Sequence, residues 1–375
     1  MDPLISIIMP VYNAKEYIGR TLHSILSQDF KQFELIIIND GSTDGSDNIC
    51  KAFATKDNRI TIINQKNAGT SAARNAGLDI AKGKYITFCD HDDEYLPHLL
   101  RDNFELIEKE QADVLQFSIN RINSDIPTQI LHQRLRDQSI DATDIRSKYI
   151  DIRLTENFMD VWNHLYLHSS IQQVRFNPVY NHGFEDLDFN IHVLAHVQKK
   201  YLFSSNIYYN HYLYTHSSGN TFSRKITDKT IKEYNTLFQL EYFFLKNFQD
   251  KNSFSTSKAS QILIRNLDIL ESRTIYNNVS SLKEFYKNPL FFQPPFKLSW
   301  DTHFYLWAFF NNHFFLKLLK ILDIAHNSSS TNAFENTALY GFFFNLFNSS
   351  KGKKLFHLCN TAVKLVTIPF RIKKN

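Results

Sequence analysis

Residues 84–97 read KYITFCDHDDEYLP, a short apolar run that ends in three carboxylates, Asp90, Asp92 and Asp93. Tyr85, Ile86, Phe88 and Cys89 predict a buried strand, because a run this short, rich in aromatic and branched side chains and introduced by Lys82-Gly83-Lys84, suits a strand better than a helix. The acids then stand at the carboxyl end of that strand, and Pro97 suits the first turn of a following helix. In open α/β sheets this edge is where ligands bind. Three acids within four positions repel one another, and two readings stay open for them. They are oxygen ligands for Mg²⁺ or Mn²⁺ beside a phosphate, or a solvated cap on the next helix.

Working outward, residues 4–12, 33–39 and 60–64 predict buried strands, and residues 16–28, 44–55 and 70–82 predict the helices between them. Ile18, Leu22, Ile25 and Leu26 recur at helical spacing in the first helix, and Ile49 and Phe53 share one face of the second. Downstream, residues 96–109 continue as a helix and residues 112–119 as a further strand. Alternating strands and helices with short connections imply an α/β fold, a mostly parallel sheet with helices on both faces. Each polar cluster follows a strand: Asn13, then Asp40-Gly41-Ser42, then Asn67-Ala68-Gly69, then the acids. A parallel sheet brings all four to one edge.

Composition narrows the class. The 375 residues are 43% hydrophobic and 21% charged, as in a globular protein, and a net charge of +4 is too slight to argue for nucleic acid. Cys50, Cys89 and Cys359 show no paired spacing, so neither a zinc site nor a disulfide framework is implied and a reducing compartment is expected. The start, MDPLISIIMPVY, has no basic segment and an apolar run interrupted by Pro10. It reads as a first strand and not an export signal, and the expected location is the cytoplasm, with the inner face of the cell membrane as a variant of it.

The blocks SIIMPVYNAKEYIGRTLHSILSQ, LIIINDGSTDGS, NAGTSAARNAG and YITFCDHDDEYLP, in this order between Ser6 and Pro97, resemble the nucleotide-binding half of family-2 glycosyltransferases with the A-type glycosyltransferase fold. VWNHLY (residues 161–166) and GFEDLDF (residues 183–189) resemble the acceptor side of the same family. The resemblance implies a glycosyltransferase domain over residues 1–220, with a nucleotide-sugar half at 1–120 and an acceptor half at 121–220. Residues 221–375 form a helical, aromatic-rich remainder.

The resemblance also implies roles. Pro10, Val11, Tyr12 and Asn13 wall the nucleotide pocket, with Tyr12 near the base, although Tyr12 equally suits a core. Asp40, by itself an ordinary turn cap before Gly41, accepts a hydrogen bond from the uracil ring. Asn67 and Gly69 open a small-residue helix start where free N–H groups face an anion, and Arg74 stands near the nucleotide or its acid partners. Asp90 and Asp92 orient the donor, and Asp92 and Asp93 hold Mn²⁺ or Mg²⁺. His91 stands where the family usually has a small residue; it crowds the site, adds a ligand or, as a lone histidine in a polar loop, does neither. Asp186 is the general base, with Glu185 as runner-up; acids in a first helical turn are also favoured by the dipole alone. Trp162 is either an acceptor platform or core. The implied activity is an inverting, metal-dependent hexosyl transfer from a UDP-sugar to a hydroxyl of a bacterial surface glycan, lipooligosaccharide or capsule. The competing readings are a GDP- or dTDP-sugar donor, or a non-catalytic nucleotide-binding scaffold.

Residues 225–247, 257–277 and 299–324 carry helical apolar repeats, none apolar enough over about 20 residues to span a bilayer. From Lys351 to Lys374 the chain is basic and amphipathic. That segment suits peripheral contact with an anionic membrane, or else a helical cap or an oligomer contact.

Overall fold

The structure is a computed structural model and describes residues 2–124, 126–145, 147–155, 158–180, 183–214 and 228–248. The chain begins with β1 (Ile5–Val11), α1 (Ile18–Leu26), β2 (Phe33–Asn39), α2 (Ser46–Ala54), β3 (Ile60–Asn64), α3 (Thr70–Leu78) and β4 (Tyr85–Phe88). β1 pairs in parallel with β2, from Ile5 opposite Phe33 to Val11 opposite Asn39, and with β4, from Ile5 opposite Tyr85 to Ile8 opposite Phe88. β3 adds in parallel outside β2. Every residue of β1 is buried, so both faces of the sheet are covered, and this is why its sequence runs apolar without alternation. The parallel pairing sets the carboxyl ends Val11, Asn39, Asn64 and Phe88 along one edge.

The remainder of the sheet is made differently. After β5 (Glu94–Tyr95) come α4 (Leu99–Glu110), β6 (Val114–Asn123), β7 (Ile130–Gln133), β8 (Gln138–Asp141), α5 (Ala142–Ile145) and α6 (Tyr149–Thr155). Then follow β9 (His164–Leu167), α7 (His168–Ile171), α8 (Glu185–His196), β10 (Lys200–Leu213) and α9 (Asp228–Phe248). The main strand order is β3-β2-β1-β4-β9-β6-β10-β5. β9 runs antiparallel between β4 and β6, and β10 runs parallel to β6 along its length. Two-residue β5, which no periodicity announces, pairs antiparallel with Tyr209 and Asn210 of β10. That pairing ties the end of the acidic loop to β10, more than 100 residues further along the chain.

Two expected boundaries move. α4 starts at Leu99, after His98 in a left-handed conformation (φ +72°), so Pro97 precedes the helix instead of opening it. The helix expected at 225–247 is α9, and it packs on α6: Arg153 Nε lies 3.2 Å from Glu241 Oε1, the Tyr149 hydroxyl donates to the same oxygen at 2.8 Å, and the Tyr149 and Phe244 rings are 4.8 Å apart. α9 is thus fastened to α6 by an ion pair, a hydrogen bond and a ring contact. The repeats at 257–277 and 299–324, Cys359 and the basic segment from Lys351 to Lys374 lie outside the described residues. Among the described residues no helix is long and apolar enough to cross a membrane.

β9 carries a buried titrating group. His164 has no exposed surface, lies 2.8 Å from the Tyr201 hydroxyl, and burial lowers its pKa to about 3. An unfolded histidine protonates near 6.5, so between pH 6.5 and about 3 the unfolded chain binds a proton the folded chain refuses, and stability falls as pH drops through that window. Urea unfolding should show about 2 kcal/mol less stability at pH 5 than at pH 7 from this group. His164→Gln, which still offers Tyr201 a polar partner, should flatten that part of the slope.

Candidate active site

The strand ends are knit together by side chain to backbone bonds. Asn13, at φ +50°, accepts from the Thr43 N–H at 2.9 Å through Oδ1, while its own N–H donates to Ser42 Oγ at 3.1 Å. Asp40 is 4% exposed. Its Oδ1 accepts from Gln65 Nε2 and from the Ala68 N–H, both at 2.8 Å, and its Oδ2 from the Gly69 N–H at 2.9 Å. Asp40 therefore fastens the loop before α3, and of about four lone-pair directions on a carboxylate one is left for a ligand. Gly41 must be glycine: its φ is +77° and a Cβ there would stand 3.0 Å from the Asn67 nitrogen. Gly69 (φ +89°) turns the loop into α3, and Asn67 is exposed beside it. Pro10 and Val11 are buried, whereas Tyr12 is 41% exposed, so Tyr12 is a surface ring and not core.

One turn into α3, Arg74 is 2% exposed and faces three acids. Its Nη2 donates to Asp90 Oδ1 at 3.0 Å, its Nη1 to Asp186 Oδ1 at 2.5 Å, and Glu185 Oε1 stands 3.8 Å from Nη1. The guanidinium also lies 5.2 Å from the centre of the Phe176 ring. Asp186 Oδ2 accepts from the Val161 N–H at 3.3 Å, while Glu185 Oε2 is buried with no hydrogen-bond partner among the described residues. Both acids open α8, where the dipole favours them, but the entry to that helix is unusual: Gly183 and Phe184 have φ of +94° and +82°. A left-handed phenylalanine is uncommon, and such backbone recurs where a functional side chain must be aimed. Burial raises the Asp186 and Glu185 carboxyls; Arg74 opposes the rise in both, and Asp90 adds to it in both. The structure thus joins four expected site residues, Arg74, Asp90, Glu185 and Asp186, from positions more than 100 residues apart.

The acids after β4 divide. Asp93 has no exposed surface and turns inward: the Tyr209 hydroxyl donates to Oδ2 at 2.7 Å, the Tyr212 N–H to Oδ1 at 3.0 Å, and His211 Nδ1 lies 3.0 Å from Oδ2. Burial pulls the His211 pKa down, but Asp93 outweighs it and raises the imidazole to about 9. Asp93, expected with Asp92 to hold metal, thus has its oxygens committed to β10. Asp92 accepts no side-chain hydrogen bond from a described residue, and burial, followed by Asp93, raises its pKa to about 6. His91 turns its Nδ1 to the Pro10 carbonyl at 3.1 Å and so ties the acidic loop to β1.

No group of three His, Cys, Asp or Glu that could hold a metal forms among the described residues. One free carboxylate crowded by other acids nonetheless fits Mg²⁺ or Mn²⁺, which take one or two protein carboxylates and complete their shells from phosphate and water. Asp92 would be that ligand. Trp162, 3% exposed, stacks on Tyr209 at 4.9 Å and His211 at 4.7 Å, so the structure makes it core beneath β10 and not an acceptor platform. Tyr209, His211 and Tyr212 were not legible as site residues. They sit in YYNHYL, which carries only a strand pattern.

Residues 6–183 match the model of the family described as Glycosyl transferase family 2. The chain is 35% identical over 182 residues to the glycosyltransferase GlyA of Streptococcus pneumoniae serotype 4, covering 47% of this chain and 26% of that protein. It is 40% identical over 106 residues to TuaG of Bacillus subtilis, a putative teichuronic acid biosynthesis glycosyltransferase, covering 28% of this chain and 42% of that one. The chain therefore spans less than half the length of either relative. Its fold resembles that of S. aureus TarS residues 1–349 in complex with UDP-GlcNAc, with a TM-score of 0.60 at 18% identity over 76% of this chain and 79% of that one. Residues 6–183, which carry the four sequence blocks and the sheet edge where they meet, are thus the part of the chain that is similar to glycosyl transferase family 2.

Proposed function

We propose that the chain is an inverting, cation-dependent glycosyltransferase that moves a sugar from a UDP-sugar to a hydroxyl of a bacterial surface glycan. The observation that carries this reading is the Arg74 cluster, which sets the donor-side acid Asp90 and the acceptor-side acids Glu185 and Asp186 around a single guanidinium. The names of TuaG and of the TarS complex support the surface-glycan and UDP parts of it.

In this reading Tyr12 and the turn at Asp40 hold the base, and Asp90 and Asp92 meet the ribose and diphosphate. A divalent cation at Asp92 would supply charge neutralisation to the departing diphosphate. Asp186 accepts the proton of the acceptor hydroxyl. Its burial among Glu185, Asp90 and Asp160 makes it a better base than an exposed aspartate, since basicity closer to neutral pH favours proton abstraction. Arg74 keeps the charge of these acids tolerable and fixes the two sides in register. One displacement on the face opposite the leaving group inverts the anomeric carbon, and holding both substrates in line can contribute about 7–11 kcal/mol.

Calorimetry of the full chain with UDP, GDP and dTDP, each with and without Mn²⁺, tests the donor. UDP should bind best and gain affinity from Mn²⁺. Preference for GDP or dTDP would move the donor class within the same fold, and binding of none would remove the transferase reading.

A further inference from the structure

α1 and the residues just after it serve the acidic loop as well as the core. Ile18, Leu22 and Ile25 are buried against the sheet, while Arg20, Thr21, Ser24 and Gln28 all bond to residues 91–100. Ser24 Oγ accepts the Tyr95 N–H at 3.1 Å, and Gln28 both donates to the Leu96 carbonyl at 2.9 Å and accepts the Leu100 N–H at 3.3 Å. The bonds to the acids themselves are more telling. Thr21 Oγ1 lies 2.8 Å from the His91 carbonyl and 2.7 Å from the Asp93 carbonyl, so its single proton is shared between them. Arg20 Nη2 donates to the carbonyl between these two, that of Asp92, and to the Tyr214 hydroxyl at 2.9 Å, while the guanidinium lies 3.8 Å from the centre of the Tyr212 ring.

Three consecutive carbonyls are thus drawn to one side by two adjacent residues of α1. The loop is also closed as a turn by the Asp93 N–H on the Asp90 carbonyl at 3.3 Å. Fixing three successive peptide planes fixes the side-chain directions between them. Asp93 is sent inward to β10, and the Asp92 carboxylate meets no donor among the described residues. Without such a clamp, mutual repulsion of Asp90, Asp92 and Asp93 would spread the loop, and a positive charge on the Asp92 carbonyl offsets part of that repulsion.

We propose that Thr21 and Arg20 are positioning residues for cation binding: they hold the acidic loop by its backbone so that the Asp92 carboxylate stays free for a divalent ion. This rests on the cation-dependent reading given above. Both residues lie in the first sequence block, SIIMPVYNAKEYIGRTLHSILSQ, yet neither is an acid or a metal ligand, and the reading above places neither against substrate.

The test titrates Mn²⁺ into the full chain in the presence of UDP by calorimetry, and separately measures UDP binding and the thermal midpoint in EDTA. Thr21→Val should raise the half-saturating Mn²⁺ concentration about 10-fold, the size usual for a residue that orients a ligand. UDP binding in EDTA should stay near the wild-type value, and Thr21→Ser should restore Mn²⁺ binding. Arg20→Gln, on a partly exposed side chain, should shift Mn²⁺ binding in the same direction and serves if Thr21→Val does not fold. A folded Thr21→Val or Arg20→Gln chain with wild-type Mn²⁺ affinity overturns the clamp alone. An equal loss with and without Mn²⁺ overturns it in favour of a general folding role. Wild-type UDP binding that ignores Mn²⁺ removes the cation reading, and the clamp with it.

Discussion

Asp186→Asn should lower the kcat of sugar transfer by about 10²–10⁴-fold, the range that a positioned general base contributes, while UDP affinity stays near wild type. Asparagine keeps the shape of the side chain and can still accept from Arg74, so the loss falls on proton transfer and not on assembly of the site. The alternative base, Glu185, is set differently. Asp186 is held by two donors, Arg74 and the Val161 N–H, whereas Glu185 sits 3.8 Å from Arg74 with its second oxygen unpaired among the described residues. An orienting pair of hydrogen bonds suits a base that must meet a hydroxyl in one geometry. Glu185→Gln should therefore cost less than Asp186→Asn in UDP release with a competent acceptor. The reverse order would exchange their roles, and two near-silent variants would remove both from the reaction.

The two halves of the chain differ in how much their sequence disclosed, and the cause is topological. β1 to β4 are continuous apolar runs buried on both faces, each closed by a polar turn, so strand, direction and site edge all follow from local pattern. Arg74, Asp90 and Asp186 were each legible from their blocks, and their meeting follows from parallel pairing together with the return of the chain through β9. The inward turn of Asp93 was not legible. It depends on Tyr209, His211 and Tyr212, whose register opposite the acidic loop is set by the two-residue strand β5. Asp40 teaches the same lesson on a smaller scale, because an Asp-Gly-Ser turn does not say that both carboxylate oxygens are taken by the loop before α3. Trp162 could not be decided locally either, since its stacking partners lie on β10. Local sequence names the acids; distant strands decide which of them stay free.

Arg74→Met should cost about 3 kcal/mol of folding stability at pH 7.5, toward the low end of what removing one partner of a buried ion pair costs. Methionine keeps the apolar contact with Phe176, 5.2 Å from the guanidinium, so the loss is chiefly electrostatic: Asp90, Glu185 and Asp186 are left together without their cation. The low end is the right one because these acids keep 28%, 18% and 15% of their side-chain surface exposed, and water screens part of their repulsion. The sign with pH separates this account from a packing defect. With Arg74 gone the folded-state carboxyls titrate higher than the unfolded ones, so the folded variant binds protons more readily and its relative stability is greatest at acid pH, lost as pH rises through the folded values. The gap between wild type and variant in urea unfolding should therefore narrow from pH 7.5 to pH 5, the more so because His164 destabilises both chains alike over that interval and cancels in the difference. A gap of equal size at both pH values would assign the cost to lost packing over Phe176 and Phe88, and would leave Arg74 as a filler of the core instead of the counter-charge that lets Asp90, Glu185 and Asp186 stand together.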